Sequence, residues 1–224
     1  MILALETSTK NCSVALYEQG ELLHFKEETG DRFIHGERLH CLIEELLHEK
    51  NLGISDLSGI SVGKGPGSYT GLRIGVSTAK GLAYALKLPL YAQPTLGCFD
   101  FTACSNGWII TALDARRDEV YAQVWRKDAL GIHEVGGVEA VLLDENAWSI
   151  LDGPVSVLSD CSEKMAQYLG SSRSLWTFYP SSFPSAQFMK EGLPRSEEEA
   201  VDTAYFEPFY LKDFVAEKSK KSYF

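Results

Sequence analysis

The sequence predicts an α/β protein of two duplicated halves, each a mixed sheet with the order β-β-β-α-β-α-β-α, the second half shortened. Three observations lead there. Short apolar strand patterns alternate with segments of helical periodicity along the 224 residues. The order of elements starts again after Asn106-Gly107, without any residue-level repeat. The composition, 45% hydrophobic and 23% charged, is that of a chain with a real core, and the length suits one large domain or two small ones. The expected division is a first half over 1–105, rejoined by the C-terminal segment 205–224, and a second half over 106–204.

Residues 1–5 read as a short apolar strand, followed by the polar turn Glu6-Thr7-Ser8-Thr9-Lys10-Asn11. Val14 and Leu16 give 12–17 a period of 2, Glu18-Gln19-Gly20-Glu21 turns the chain, and 22–26 completes a meander. A helix is predicted over 34–50, because Leu39, Leu42, Ile43, Leu46 and Leu47 recur at i, i+3, i+4, i+7 and i+8. Gly53 suits its C-terminal end. A buried strand at 60–63 runs into the glycine-rich segment 63–71, which opens a second helix through 86. A strand at 89–92 and a helix at 95–104 close the half. In the second half, strands are expected at 109–114, 119–125, 132–135, 155–159 and 175–178, and helices at 144–151, 162–169 and 186–193. The run Glu197-Glu198-Glu199 reads as the first turn of a helix, where carboxylates suit the dipole.

Charge and composition exclude several function classes. Lys and Arg number 21 against 31 Asp and Glu, a formal charge of −10, which argues against autonomous nucleic-acid binding. Lys218, Lys220 and Lys221 form the one basic cluster and read as a solvated terminus rather than an RNA clamp. No apolar stretch approaches the ~20 residues of a membrane span. The opening Met1-Ile2-Leu3-Ala4-Leu5-Glu6 lacks a basic region and is expected to be a strand, not a leader. Cys12, Cys41, Cys98, Cys104 and Cys161 are odd in number and widely spaced, which points to a reducing cytoplasm and against disulfides or zinc.

The segment Gly63-Lys64-Gly65-Pro66-Gly67-Ser68-Tyr69-Thr70-Gly71 lies between a strand and a helix, where backbone N–H groups can hold an anion. Its spacing fits neither a Walker A loop nor G-x-G-x-x-G, and Ser68 is not in a G-x-S-x-G elbow. A tight turn for close helix–sheet packing and a ligand contact both remain open. Gly71, Gly75, Ala79 and Ala83 then recur every four residues. Glycines inside a helix cost about 1 kcal/mol each relative to alanine, so close approach of another backbone is expected, from a partner or from within the chain. Of the histidines, His35 and His40 are about 140° apart around a helix, and His40 and His48 lie ~12 Å apart along it; neither pair chelates one ion. Glu6 and Asp114 end the first strands of the two halves, in places where one large superfamily holds Mg-nucleotide phosphates between duplicated halves. Only the first following turn is hydroxyl-rich. The second carries Arg116 and Arg117, and Arg116 is expected in a structural ion pair with an acid.

The runs I-L-A-L-E-T-S-T (2–9), C-S-V-A-L (12–16), H-x-E-R-L (35–39), K-G-P-G-S-Y-T-G-L-R-I-G-V-S-T-A-K-G-L-A (64–83), A-L-D-A-R-R-D-E-V-Y (112–121) and P-x-Y-L-K (208–212) resemble the TsaB (YeaZ) family. The resemblance covers both halves and is weakest over 126–200. It implies the actin, sugar-kinase and Hsp70-like (ASKHA) fold. It also implies a cytoplasmic, non-catalytic scaffold subunit of the machinery that makes threonylcarbamoyladenosine at position 37 of tRNA. The metal-bearing partner would be a TsaD-type paralogue, a TsaE-type ATPase would join the larger complex, and tRNA would be met only through it. Helices 34–50 and 69–86 would supply the partner interface, including Leu39, Leu42, Ile43, Leu46, Gly71, Gly75, Thr78 and Ala79, and a homodimer would form on the same surface when the chain is alone. Glu6, Thr7, Ser8, Gly65, Gly67 and Asp114 would outline a vestigial nucleotide cleft, with Glu6 where many relatives have Asp. No catalytic residue, metal, cofactor or membrane contact is assigned: His35-Gly36-Glu37-Arg38-Leu39-His40 lacks the H-x-x-x-H pair. The competing reading is a stand-alone kinase-like or glycoprotease-like enzyme.

Overall fold

A computed structural model describes residues 1–170, 173–189, 193 and 197–212. The first half holds β1 (Ile2–Glu6), β2 (Asn11–Glu18), β3 (Glu21–Thr29), α1 (His35–Glu49), β4 (Gly59–Gly63), α2 (Tyr69–Leu86) and β5 (Leu90–Gln93). Its sheet runs β3-β2-β1-β4-β5, antiparallel in the meander and parallel from β1 through β4 to β5. The second half holds β6 (Gly107–Asp114), β7 (Glu119–Asp128), β8 (Gly131–Leu142), β9 (Val155–Ser159), α3 (Ser162–Leu169) and β10 (Trp176–Tyr179). Its sheet, β10-β9-β6-β7-β8, has the same order read from the opposite edge. The duplication legible in the element order is therefore real, and the second copy is shorter in helix.

The apolar run of β1 is buried because β2 and β4 flank it and both faces of the sheet are covered. The leucine row of α1 packs with Val76, Ala79 and Ala83 of α2 onto Leu3, Leu5, Val14 and Val62. Ser68 caps α2 by accepting the Gly71 N–H at 3.2 Å, and Lys87 in the left-handed region ends it.

Four expected helices are absent or reduced. Residues 95–104 contain only a 3-10 turn, Thr95–Gly97. The Lys127 ammonium takes the carbonyls of Phe101 and Cys104, each at 2.8 Å, so the segment ties to the second sheet instead of coiling. At 144–151 the Asp144 carboxylate accepts the N–H groups of Asn146 and Ala147, a local turn that competes with a helix. At 186–193 a 3-10 turn spans Ala186–Phe188, and 190–192 lie outside the described residues. Glu197–Glu199 forms a three-residue 3-10 turn and opens no α-helix. The third strand of the second half extends to Gly131–Leu142, a mostly exposed edge whose Gly136-Gly137 pair hides the alternation. The basic cluster Lys218, Lys220 and Lys221 lies outside the described residues.

The chain returns to the first sheet at 184, not 205. Asn11 Nδ2 donates to the Pro184 carbonyl at 3.3 Å, Tyr17 Oη to that of Ala186 at 2.8 Å, and the Ala186 N–H to Ser13 Oγ at 2.9 Å. Val201 then bridges Leu90 on the β5 edge. Lys80 of α2 donates to the carbonyls of Ala204 and Phe206 at 3.1 and 2.8 Å, the Phe209 N–H donates to the Lys64 carbonyl at 2.7 Å, and Lys212 reaches Glu119 of β7 at 2.5 Å.

Candidate functional site

The motifs of the first half converge on one place, where the β1–β2 turn packs into the glycine-rich loop. Glu6 is fully buried. Its carboxylate accepts the Ser8 N–H at 2.8 Å and the Thr95 hydroxyl at 3.1 Å. Burial pushes its pKa up, against these hydrogen bonds. A Cβ at Gly63 would lie 2.0 Å from Glu6 Oε2, so the glycine exists to admit this side chain.

The remaining glycines serve the same turn. A Cβ at Gly67 would meet Ser8 Cβ and O at 2.6 Å, and the Ser68 N–H donates to Ser8 O at 2.7 Å. A Cβ at Gly71 would sit 2.1 Å from Thr7 O, and one at Gly75 2.1 Å from Thr7 Oγ1. The Thr7 hydroxyl donates to the Gly71 carbonyl at 2.9 Å. His35, buried at the start of α1, bonds Thr9 O through Nε2 at 2.6 Å, and burial lowers its pKa. Gly65 is backed by Phe209 O, 2.8 Å from its Cβ position.

These contacts correct the sequence expectations. Glu6, Thr7, Ser8, Gly65 and Gly67 are brought together, with the β1–β2 turn packed tightly against the glycine-rich loop. Asp114 belongs to a different cluster. Its carboxylate pairs with Lys164 at 2.7 Å, and its N–H donates to Asp160, whose own carboxyl is pushed up to about 6, mainly by burial. Arg116 contributes its backbone N–H to Asp114 Oδ1 at 3.0 Å from a left-handed turn. Lys164, not Arg116, is the charged partner that Asp114 meets in the described ion pairs.

The residues named for the helix-pair surface lie mostly inside the first half. Leu39, Leu42, Ile43, Leu46, Gly71, Gly75 and Ala79 are buried within the first half, and Thr78 is half-buried. Gly71 and Gly75 of the small-residue stripe admit Thr7. The surface of the pair is instead formed by Gly36, His40, Glu44, Thr70, Arg73, Ser77 and Tyr84, the last 83% exposed. Sequence reasoning missed this row, although it lies on the opposite side of α2 from the stripe and shares its periodicity. It also missed the aromatic end of that surface, where Arg73 lies 4.2 Å over the Tyr69 ring and Tyr210 stacks at 5.2 Å. Among the described residues, no three His, Cys, Asp or Glu side chains form a metal-ligand set.

Two sheets of matching order, with helices and a shortened second half, define an ASKHA-like α/β protein. The structure is similar over 94% of this chain to YeaZ from Pseudomonas aeruginosa, with a TM-score of 0.79, 27% identity and 99% of that chain covered. The tRNA threonylcarbamoyladenosine biosynthesis protein TsaB of Escherichia coli (strain K12) is 34% identical over 152 residues, 64% of this chain and 63% of its own length. That of Haemophilus influenzae is 38% identical over 132 residues, covering 56% and 54%. The family described as TsaD, tRNA N6-adenosine threonylcarbamoyltransferase, matches residues 33–141. This chain is thus similar to the TsaB (YeaZ) family in sequence and in fold. The matches span about three fifths of the length of these curated relatives.

Proposed function

We propose that this chain is a non-catalytic scaffold subunit of the cytoplasmic assembly that transfers a threonylcarbamoyl group to adenosine 37 of tRNA. It docks a metal-bearing TsaD-type paralogue through the outer face of α1 and α2, and a TsaE-type ATPase joins the larger complex. The net charge of −10 agrees with tRNA being met only through that complex. The observation that carries this reading is the packed β1–β2 turn: Glu6, Thr7 and Ser8 fill the glycine cradle that a phosphate-handling enzyme would keep open. A kinase-like activity would need that space. Alone, the same helix face pairs with a second copy.

Light scattering after size exclusion, on the chain alone and mixed with the TsaD-type subunit of the same cell, tests the reading. A 1:1 heterodimer that replaces a homodimer is the expected result. Ser77→Arg, on an exposed position of α2, should abolish it while stability stays within about 0.5 kcal/mol. A chain that ignores the paralogue, or a Ser77→Arg protein that binds it normally, would overturn the docking assignment.

A further inference from the structure

A cavity of about 480 Å³ opens where the end of β5, the segment that follows it and the β7–β8 hairpin meet. None of Glu6, Gly65, Gly67 or Asp114 lines it. Two of its walls are the Phe101 and Trp125 rings, with centroids 5.3 Å apart and planes inclined by 58°, and Phe188 adds a third. The Trp125 indole N–H already donates to Thr111 Oγ1 at 2.8 Å, so that ring has no donor left for a ligand.

Gln93 supplies the one neutral amide among the lining side chains. The residue is 6% exposed, and its backbone carbonyl accepts the Lys64 N–H at 2.8 Å. Its side-chain amide, with two donors and an acceptor, makes no hydrogen bond to any other described residue. The amide atoms are open to the solvent of the cavity, so water meets them until a ligand edge with matching donors and acceptors takes its place. The charge at the mouth is acidic. Asp128 and Glu134 line it, while the Lys127 ammonium is engaged by the carbonyls of Phe101 and Cys104. The Leu130 N–H holds the Asp128 carboxyl below its usual range, so the carboxylate is ionised at neutral pH.

We propose that this cavity binds a neutral, planar nitrogen heterocycle of the nucleobase class, held among Phe101, Trp125 and Phe188 with its donor–acceptor edge on the Gln93 amide. Glutamine pairs in two-point fashion with such edges, aromatic rings stack on any base, and the volume falls within the ordinary range for small-ligand sites. An apolar side chain would satisfy the walls and leave the amide unpaired. A phosphorylated ligand would set its charge against Asp128 and Glu134. The site is separate from the α1–α2 face, and its success or failure does not depend on the docking reading.

Calorimetric titration of the full chain with adenosine, guanosine and AMP tests it. One of the nucleosides should bind at 1:1, and AMP should bind more weakly than adenosine. Gln93→Leu, which keeps the volume and removes the amide, should weaken nucleoside binding by about tenfold or more. Ile132→Trp, at a 39% exposed position on the mouth, should abolish it and decides the matter if Gln93→Leu does not fold. Absence of binding by both nucleosides at millimolar concentration, unchanged affinity in the Gln93 variant (or in Ile132→Trp, where that variant does not fold), or AMP binding more tightly than adenosine would each overturn the proposal. Ser77→Arg should leave the titration unchanged.

Discussion

Three glycines of α2 should respond to alanine with different signs. In a helix interior the replacement favours the folded state by about 1 kcal/mol, through lost freedom of the unfolded chain. At Gly81 nothing lies within 4 Å of the Cβ position, so Gly81→Ala should gain that amount. At Gly71 the new Cβ would lie 2.1 Å from a backbone oxygen, Thr7 O, where ordinary contact begins at 3.4 Å. The turn and the helix would have to part by over an ångström, yet the turn is pinned by Ser68 N–H on Ser8 O and His35 Nε2 on Thr9 O. Overpacking of this kind costs about 1–3 kcal/mol, and a disrupted buried hydrogen bond about 1 more. Gly71→Ala should therefore lose about 1–3 kcal/mol net of the helix gain. Gly75→Ala meets a side chain, Thr7 Oγ1, and Thr7→Ala removes that obstacle. In the Thr7→Ala background, Gly75→Ala should be neutral or stabilising, a coupling above about 1 kcal/mol. Urea unfolding followed by far-ultraviolet circular dichroism measures all five proteins. A Gly71→Ala protein as stable as Gly81→Ala would refute the claim that the stripe exists to admit the β1–β2 turn.

Asp160 should make stability depend on pH in the direction opposite to an ion-paired carboxylate. Its folded pKa of about 6 exceeds the unfolded value near 3.9, so the folded state holds an extra proton between these values, and stability falls as pH rises through that window, by up to about 3 kcal/mol. Asp160→Asn should flatten the urea midpoint between pH 4.5 and 7. Lys80→Met removes the donor to the Ala204 and Phe206 carbonyls, and should speed proteolytic cleavage within 201–212 while costing only about 1 kcal/mol globally.

Much of the fold was legible because its signals are local. The leucine row of α1 and the glycine-rich segment that opens α2 place those helices to within a residue or two, and the apolar run of β1 announces a strand. What failed depends on partners far away in sequence. Nothing near 95–104 reveals that Lys127 will take its carbonyls, and nothing near 184–189 reveals that Ser13 and Tyr17 will hold that segment to the first sheet. The glycine stripe announces a close approach but leaves open what approaches, and the structure puts Thr7 against Gly71 and Gly75. Periodicity reports that a backbone comes near; it does not say whose. The same limit hid Gln93, because an unpaired amide is a property of the surroundings, not of the letter Q.

The halves are joined three times. One tie is the segment 94–106, fastened to β7 by Lys127; another is the return at 180–186, held by Asn11, Ser13 and Tyr17; the last is the tail that runs over α2 and ends with Lys212 on Glu119 of β7. A body that swings needs a single axis, and a second fastening on the same strand takes that axis away. Enzymes that clasp a substrate between lobes depend on such a swing. This molecule is braced against it like a bracket, its tail and its inter-half segment fastened near opposite ends of β7.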